Sequence, residues 1–117
     1  FRLFSGDAPR PSAIVCGNLR LARGVYQALS ALELTVPGDI SVVAHDDELP
    51  NLRASAFFPA LTVTRAPLRD SWDPLVGCLV GAIEGKPVSE LQRIGSYGFI
   101  EGASVAAAPT AQSASNR

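Results

Sequence analysis

Apolar residues recur along this chain with two different periods, which predict strands and helices in turn. Residues 13–17, AIVCG, form a short apolar run typical of a buried strand. Residues 19–33 have the apolar spacing of an amphipathic helix, and Asn18 is a suitable N-cap for it. A Pro-Gly pair ends that helix, and residues 40–44, ISVVA, predict a second buried strand. The predicted apolar face of the helix consists of Leu21, Val25, Ala28, Leu29 and Leu32.

The second half of the chain repeats this alternation. Residues 61–64, LTVT, predict a third strand, and residues 92–101 predict a last strand or two short ones. Pro67 suits the first turn of a second helix, in which Pro74 is expected to remove a hydrogen bond or to cause a kink. The apolar stripe of this helix consists of Leu68, Trp72, Leu75, Val76, Leu79, Val80 and Ile83. The element order predicts an α/β fold, a layered and mostly parallel sheet flanked by helices.

The length of 117 residues allows one domain. We expect this domain to occupy residues 1–102, because residues 103–117, ASVAAAPTAQSASNR, have the small and polar composition of a disordered tail. The chain has no Met, so we expect it to be part of a longer protein.

Charge and composition exclude some classes of function. A net charge of -1 with scattered basic residues argues against a surface that grips nucleic acid by neutralising phosphates. No run of 18 apolar residues exists, so we expect no membrane span. Cys16 and Cys78 lack the spacing of metal ligands, and two buried, reduced thiols in a cytoplasmic protein are the simplest interpretation.

Polar residues follow the first two predicted strands directly. Asn18 follows the first strand, and His45 and Asp46 end the second. Because the carboxyl ends of parallel strands meet at one edge of a sheet, Asn18 and Asp46 are expected side by side there, with Arg65 pointing toward the same edge. A carboxylate and an amide together can bind the hydroxyls of a sugar, although each residue could equally be a simple cap of a helix or turn.

Catalytic chemistry has little support in the sequence. Asp47 and Glu48 are expected to be solvated or capping residues, and His45, the one His, is expected to be packed or hydrogen-bonded. The acids lack further ligands at metal-binding spacing, and no nucleophile motif, Cys-His arrangement or phosphate loop occurs. We therefore expect no enzyme, no metal and no cofactor.

Four segments carry a family resemblance that spans about residues 11–101. They are PSAIVCGN, LELTVPGDISVVAHDD, FFPALTVTRAPLRD and IEGKP. With these segments the chain resembles the C-terminal part of the effector-binding domain of LacI/GalR-family transcriptional regulators. The resemblance implies the C-terminal subdomain of a periplasmic-binding-protein-like type I fold, which has two similar α/β subdomains around a hinged cleft.

The resemblance also implies a function and particular residues. It implies effector sensing and homodimerisation in a cytoplasmic repressor, which binds operator DNA through an N-terminal domain absent from this chain. The effector is expected to be a sugar. Asn18, Asp46 and Leu68 match effector-binding positions of the family, and Arg23 and Phe57 fall near its dimer interface.

Two other functions are possible for such a sequence. Half of a periplasmic sugar-binding transport protein would have the same fold without binding DNA. An enzyme of the doubly wound class would use His45, Asp46 and Asp47, and would show turnover or metal binding.

Overall fold

A four-stranded sheet with a helix against one face forms the centre of the molecule. This computed structural model describes residues 10–108. The strands are β1 (Ala13–Cys16), β2 (Ser41–Asp46), β3 (Thr62–Arg65) and β4 (Gly98–Ile100), and the helices are α1 (Leu19–Ala31) and α2 (Trp72–Ile83). Short 3₁₀ turns lie at Ala54–Ala56, Leu68–Ser71 and Val88–Glu90.

The strands lie in the order β1-β2-β3-β4. The first three are parallel, whereas β4 runs antiparallel to β3. This confirms the predicted mostly parallel α/β fold. The second strand ends at Asp46, as predicted, and its last residues, His45 and Asp46, pair with Thr64 and Arg65 of β3.

The hydrophobic core lies between α1 and one face of the sheet. It consists of Cys16, Leu19, Ala22, Leu29, Ile40, Val42, Ala44, Phe57, Leu61 and Val63. The predicted face of α1 is partly wrong, because Leu21 is exposed whereas Leu19 and Ala22 are buried. The helix approaches the sheet along its small Ala22 side chain, which a pattern of large apolar residues does not reveal.

Helix α2 differs from the prediction in two ways. The helix begins at Trp72, so Pro74 lies in its first turn, where backbone N–H groups have no partner within the helix. The predicted lost hydrogen bond or kink is therefore wrong. The apolar stripe of α2 is present, but its large side chains are exposed, and Gly81 is the buried residue of this helix.

The segment after β4 is part of the packed structure. Ser104 is fully buried, and its hydroxyl donates to the Val42 carbonyl oxygen and accepts from the Thr62 amide. The Ala103 amide donates to the carbonyl oxygen of Ala60. Residues 103–106 therefore differ from the predicted tail, because they complete hydrogen bonds at the amino ends of β2 and β3. Residues 109–117 of that tail lie outside the described residues.

Candidate functional site

Asn18 joins the end of β1 to the start of α1. Its backbone is extended, and its side-chain oxygen accepts a hydrogen bond from the Leu21 amide at 2.9 Å. This bond satisfies one of the free N–H groups at the helix start, so the predicted N-cap is confirmed. The cap uses only the oxygen of the side chain, and the amide nitrogen retains two donors for another partner.

Asp46 is the last residue of β2 and is only 5% exposed. Its Oδ1 accepts a hydrogen bond from the Glu48 amide at 2.8 Å, which forms a tight turn after the strand. Within residues 10–108, Oδ2 has no hydrogen-bond partner, and no fully buried side-chain oxygen of that range lacks one. The second carboxylate oxygen is therefore accessible to a ligand.

Asn18 and Asp46 line the same pocket, as the strand order predicts. The other residues of this Asn18–Asp46 pocket are Leu19, Arg20, Asp47, Leu49, Pro50 and Leu52. Its volume is about 80 Å³, far below the roughly 300–1,000 Å³ of a typical complete small-molecule site. This pocket alone is therefore smaller than a typical site for a small molecule.

The chemistry of this pocket suits a small polyhydroxylated molecule. The carboxylate of Asp46 can accept a hydroxyl hydrogen bond, and the amide of Asn18 can donate one. The remaining wall includes Leu49, Pro50 and Leu52, which offer apolar surface to C–H groups. Sequence reasoning missed these three residues, because they follow Asp46 in an irregular loop without a periodic pattern.

Glu48 carries a second feature that the sequence did not reveal. Its carboxylate forms ion pairs with Arg65, at the end of β3, and with Arg69, in the 3₁₀ turn before α2. Glu48 also has a left-handed backbone, with φ of 55°. Glu48 was expected to be solvated or capping, and the only signal for this cluster is the expected position of Arg65 at the same sheet edge.

His45 is hydrogen-bonded, as expected for a lone histidine. Its Nδ1 lies 3.0 Å from Thr64 Oγ1, and its Nε2 lies 3.2 Å from Asp47 Oδ1. Side chains alternate along a strand, so His45 and Thr64 lie on the sheet face opposite to Asp46. The Thr64 contact links β2 to β3, whereas the Asp47 contact joins His45 to the residue that follows β2. Within residues 10–108, no group of His, Cys, Asp and Glu side chains is arranged to hold a metal ion.

The remaining candidate residues lie elsewhere. Leu68 is exposed and does not line the Asn18–Asp46 pocket, although its amide donates to the Asp47 carbonyl oxygen at 3.0 Å. Arg23 is exposed on α1. Phe57 is buried, and its ring packs edge-on against Tyr26. An interface role for Phe57 is therefore difficult to reconcile with its burial, whereas the adjacent Phe58 is 97% exposed.

The Cys16 thiol, in the core, and the partly buried Tyr26 phenol, packed against it, have raised pKa values. Burial raises the pKa of the Cys16 thiol above its ordinary value of 9.0. Burial likewise raises the pKa of the Tyr26 phenol above its ordinary value of 10.0. The Tyr26 hydroxyl donates to the carbonyl oxygen of Pro59 at 3.1 Å, which fixes the loop beside α1.

Comparison with known proteins identifies the family. A model described as a periplasmic binding protein-like domain matches residues 2–105. The chain is 37% identical over 95 residues to the HTH-type transcriptional regulator AglR of Rhizobium meliloti and 40% identical over 86 residues to the ribose operon repressor of Escherichia coli. These alignments cover 79% and 73% of this chain but 26% and 24% of the relatives. The chain thus spans about a quarter of their length.

A third relative is covered more completely. The lactose operon repressor of Rhizobium radiobacter is 37% identical over 81 residues, which is 69% of each chain. These relatives are regulators and repressors, so the transport-protein alternative gains no support from them, and none of the three is an enzyme.

Solved structures show the same fold. A LacI family transcriptional regulator from Bifidobacterium animalis subsp. lactis superposes with a TM-score of 0.70 at 26% identity, covering 92% of this chain and 38% of that one. A LacI family regulator from Arthrobacter sp. FB24, in complex with lactose, superposes with a TM-score of 0.61 at 28% identity, covering 81% and 35%. This chain belongs to the periplasmic binding protein-like domain family and corresponds to part of the effector-binding domain of LacI/GalR-type transcriptional regulators.

Proposed function

We propose that this chain is the C-terminal part of the effector-sensing domain of a DNA-binding transcriptional repressor. The observation that carries the proposal is the pairing of Asn18 and Asp46 in one pocket, with amide donors and an unpaired carboxylate oxygen. The effector is a small polyhydroxylated molecule, most simply a sugar. The lactose bound to the Arthrobacter regulator supports this class of effector.

The small volume of the pocket supports a cleft with a second wall. A pocket of about 80 Å³ encloses too little of a sugar for tight binding by this chain alone. The effector would contact a second subdomain across the pocket, stabilise the closed arrangement, and change the spacing of two DNA-binding heads in a homodimer. Operator DNA would be bound by an N-terminal domain, and the complete protein would act in the cytoplasm.

Exposed apolar surfaces support the existence of further protein against this chain. A parallel sheet is normally covered on both faces, whereas Val15 and Phe99 are exposed on the face opposite to α1. The apolar stripe of α2 is exposed as well. Contiguous exposed apolar surface of this kind typically marks a contact with other protein. Within residues 10–108, no helix is long and apolar enough to cross a bilayer.

The homodimer interface is proposed near one end of α1. Arg23 is exposed there, and the Tyr26 hydroxyl ties α1 to the loop that presents Phe58. Because Phe57 is packed inside, Phe58 is the better candidate to contact a second copy. Leu68 is retained as an effector contact only for the complete cleft, since it lies outside the pocket seen in this chain.

The proposal is tested by replacing Asp46 in the complete gene product. Asp46→Asn keeps an oxygen for the Glu48 amide but removes the charge, so the turn is preserved while hydroxyl binding weakens. We expect effector binding to weaken by about 1.5–3 kcal/mol for Asp46→Ala and by less for Asp46→Asn. The measurement is calorimetry with the sugar that raises the melting temperature most in a panel of D-ribose, D-galactose and lactose.

A companion variant separates binding from stability. Asn18→Asp keeps an acceptor for the Leu21 amide and therefore the helix cap, but it lacks the two amide donors. Effector affinity should fall while the melting temperature without sugar stays close to that of the wild type. Unchanged affinity in both the Asp46 and the Asn18 variants would exclude this pocket as the effector site.

A further inference from the structure

The ion-pair cluster of Glu48, Arg65 and Arg69 lies directly beside Asp46. The two carboxylate oxygens of Glu48 are used separately, since Oε1 pairs with Arg65 and Oε2 pairs with Arg69. All three residues and Asp46 line one cavity of about 740 Å³, next to the Asn18–Asp46 pocket. The cluster and the proposed effector site therefore share Asp46.

Arg65 is the residue placed to compete with an effector for the Asp46 carboxylate. It is the direct register partner of Asp46, in the neighbouring parallel strand. Partners in adjacent strands lie roughly 5 Å apart and point to the same sheet face, well within the reach of an arginine side chain. A guanidinium group binds a carboxylate strongly, through two parallel hydrogen bonds where geometry allows. Without another partner, Arg65 would be drawn to the oxygen of Asp46 that the pocket exposes.

Glu48 prevents this by its position. Its backbone amide donates to Asp46 Oδ1 at 2.8 Å, while its side chain extends away to the two arginines. A left-handed backbone costs a non-glycine residue about 1 kcal/mol, against which stand the hydrogen bond, the partly buried ion pair with Arg65 and the more exposed ion pair with Arg69. One residue thus orients Asp46 and holds Arg65 away from it.

We propose that Glu48 is a positioning residue of the effector site, which sequesters Arg65 and so keeps the Asp46 carboxylate available to a neutral polyhydroxylated ligand. This inference rests on the proposed function for its effect on binding. It also defines a specificity: with Arg65 held by Glu48, the pocket presents an acceptor to its ligand, and with Arg65 on Asp46 it would present a neutralised pair.

The test uses Glu48→Ala, Arg65→Gln and the double variant in the complete gene product. Crystal structures of the sugar-free variants give the position of the Arg65 guanidinium. In Glu48→Ala we expect it within about 4 Å of the Asp46 carboxylate, the distance of an ion pair. If Arg65 stays beyond that distance, the proposal is overturned, and this measurement needs no effector.

Calorimetry with D-ribose, D-galactose and lactose supplies the functional readout. Glu48→Ala should weaken binding of the preferred sugar about tenfold, which corresponds to one ion pair broken on binding. The double variant should bind within about twofold of Arg65→Gln, because the competitor is gone. A purely structural role of Glu48 predicts no such rescue, so a double variant as weak as Glu48→Ala refutes the proposal.

A matched control and one further variant complete the design. Glu84→Gln breaks the exposed ion pair with Lys86, whose atoms lie 3.3 Å apart, and should leave sugar affinity unchanged. Asp46→Asn should bind weakly whether or not Glu48 is present. If Asp46→Ala and Asn18→Asp both bind sugar like the wild type, the proposed function fails, whereas the position of Arg65 in Glu48→Ala still decides the inference.

Discussion

Two leucines of similar sequence context have opposite environments in this molecule. Leu29, on the apolar stripe of α1, is 1% exposed, whereas Leu79, on the apolar stripe of α2, is 62% exposed. Helix α1 lies against the sheet that precedes and follows it in sequence. Helix α2 packs on the 3₁₀ turn before it and on Leu91, which lies against Gly81. An amphipathic pattern therefore identifies the face that a helix buries, but it does not identify the partner.

The two helices differ in whether the described chain covers their apolar side chains. The α1 side buries its apolar surface inside one chain, so its stability is intrinsic to residues 10–108. The α2 side leaves large apolar side chains open, such as Trp72 and Ile83. Contiguous exposed apolar surfaces of this kind typically contact other protein.

The largest effect is expected from truncating the two leucines in parallel. Leu29→Ala opens a cavity in the core and should lower the free energy of unfolding by about 2–5 kcal/mol. Leu79→Ala in this chain should change it by less than about 0.5 kcal/mol, because the side chain is mostly in water already. Urea unfolding followed by circular dichroism measures both values.

The same pair sharpens the comparison in the complete gene product. There, Leu79→Ala should become destabilising by about 2 kcal/mol or more if further protein covers α2. Equal effects of Leu29→Ala and Leu79→Ala in this chain alone would show that α2 is packed within it, and the comparison would fail.

A smaller loss is expected at the amino ends of β2 and β3. Ser104→Ala leaves the Val42 carbonyl and the Thr62 amide without their buried partner, which should cost about 1–3 kcal/mol. Ser41→Ala is the matched control, because Ser41 bonds Ala106 at an exposed position. The melting temperature of Ser104→Ala should lie well below that of Ser41→Ala. Equal melting temperatures would contradict the importance of the two Ser104 hydrogen bonds.

The smallest effect concerns alkaline pH. The pKa values of Cys16 and Tyr26 are raised by burial, so the unfolded chain loses these protons first as pH rises. The contribution of these two groups to the free energy of unfolding should therefore be constant below about pH 8 and fall as pH rises through 9 and above. Tyr26→Phe should flatten this decline relative to the wild type, whereas Tyr97→Phe, at an exposed position, should leave its slope unchanged.

The sequence predicts local elements well where capping, Gly or Pro residues bound them and where they pack against elements that are near in sequence. Asn18 and the apolar run before it locate the β1–α1 junction, which the structure confirms. The end of β2 at Asp46 was also predicted, whereas its register with β3, which pairs Asp46 with Arg65, was not, because strand partners are not encoded locally. The predicted kink or lost hydrogen bond at Pro74 is wrong for a related reason, because the effect of a proline depends on where the helix begins.

The candidate site shows the same division. The proximity of Asn18 and Asp46 follows from parallel strand order and was predictable. The ion pairs of Glu48 join residues 17 and 21 positions apart through an irregular loop, so no periodicity signals them. The burial of Phe57 beside the exposed Phe58 was not predictable either, because the sequence does not show which of two adjacent phenylalanines points inward.

The buried Ser104 has a consequence for folding during translation. Its hydroxyl donates to the carbonyl oxygen of Val42, which precedes it by 62 residues in the sequence. The neighbouring strands can therefore begin to associate during translation, but this corner of the sheet stays unfinished until almost all of the described chain has emerged. Contacts of such long sequence separation slow folding. Nascent chains that stall before Ser104 would therefore expose unpaired backbone groups at the ends of β2 and β3, which chaperones could bind.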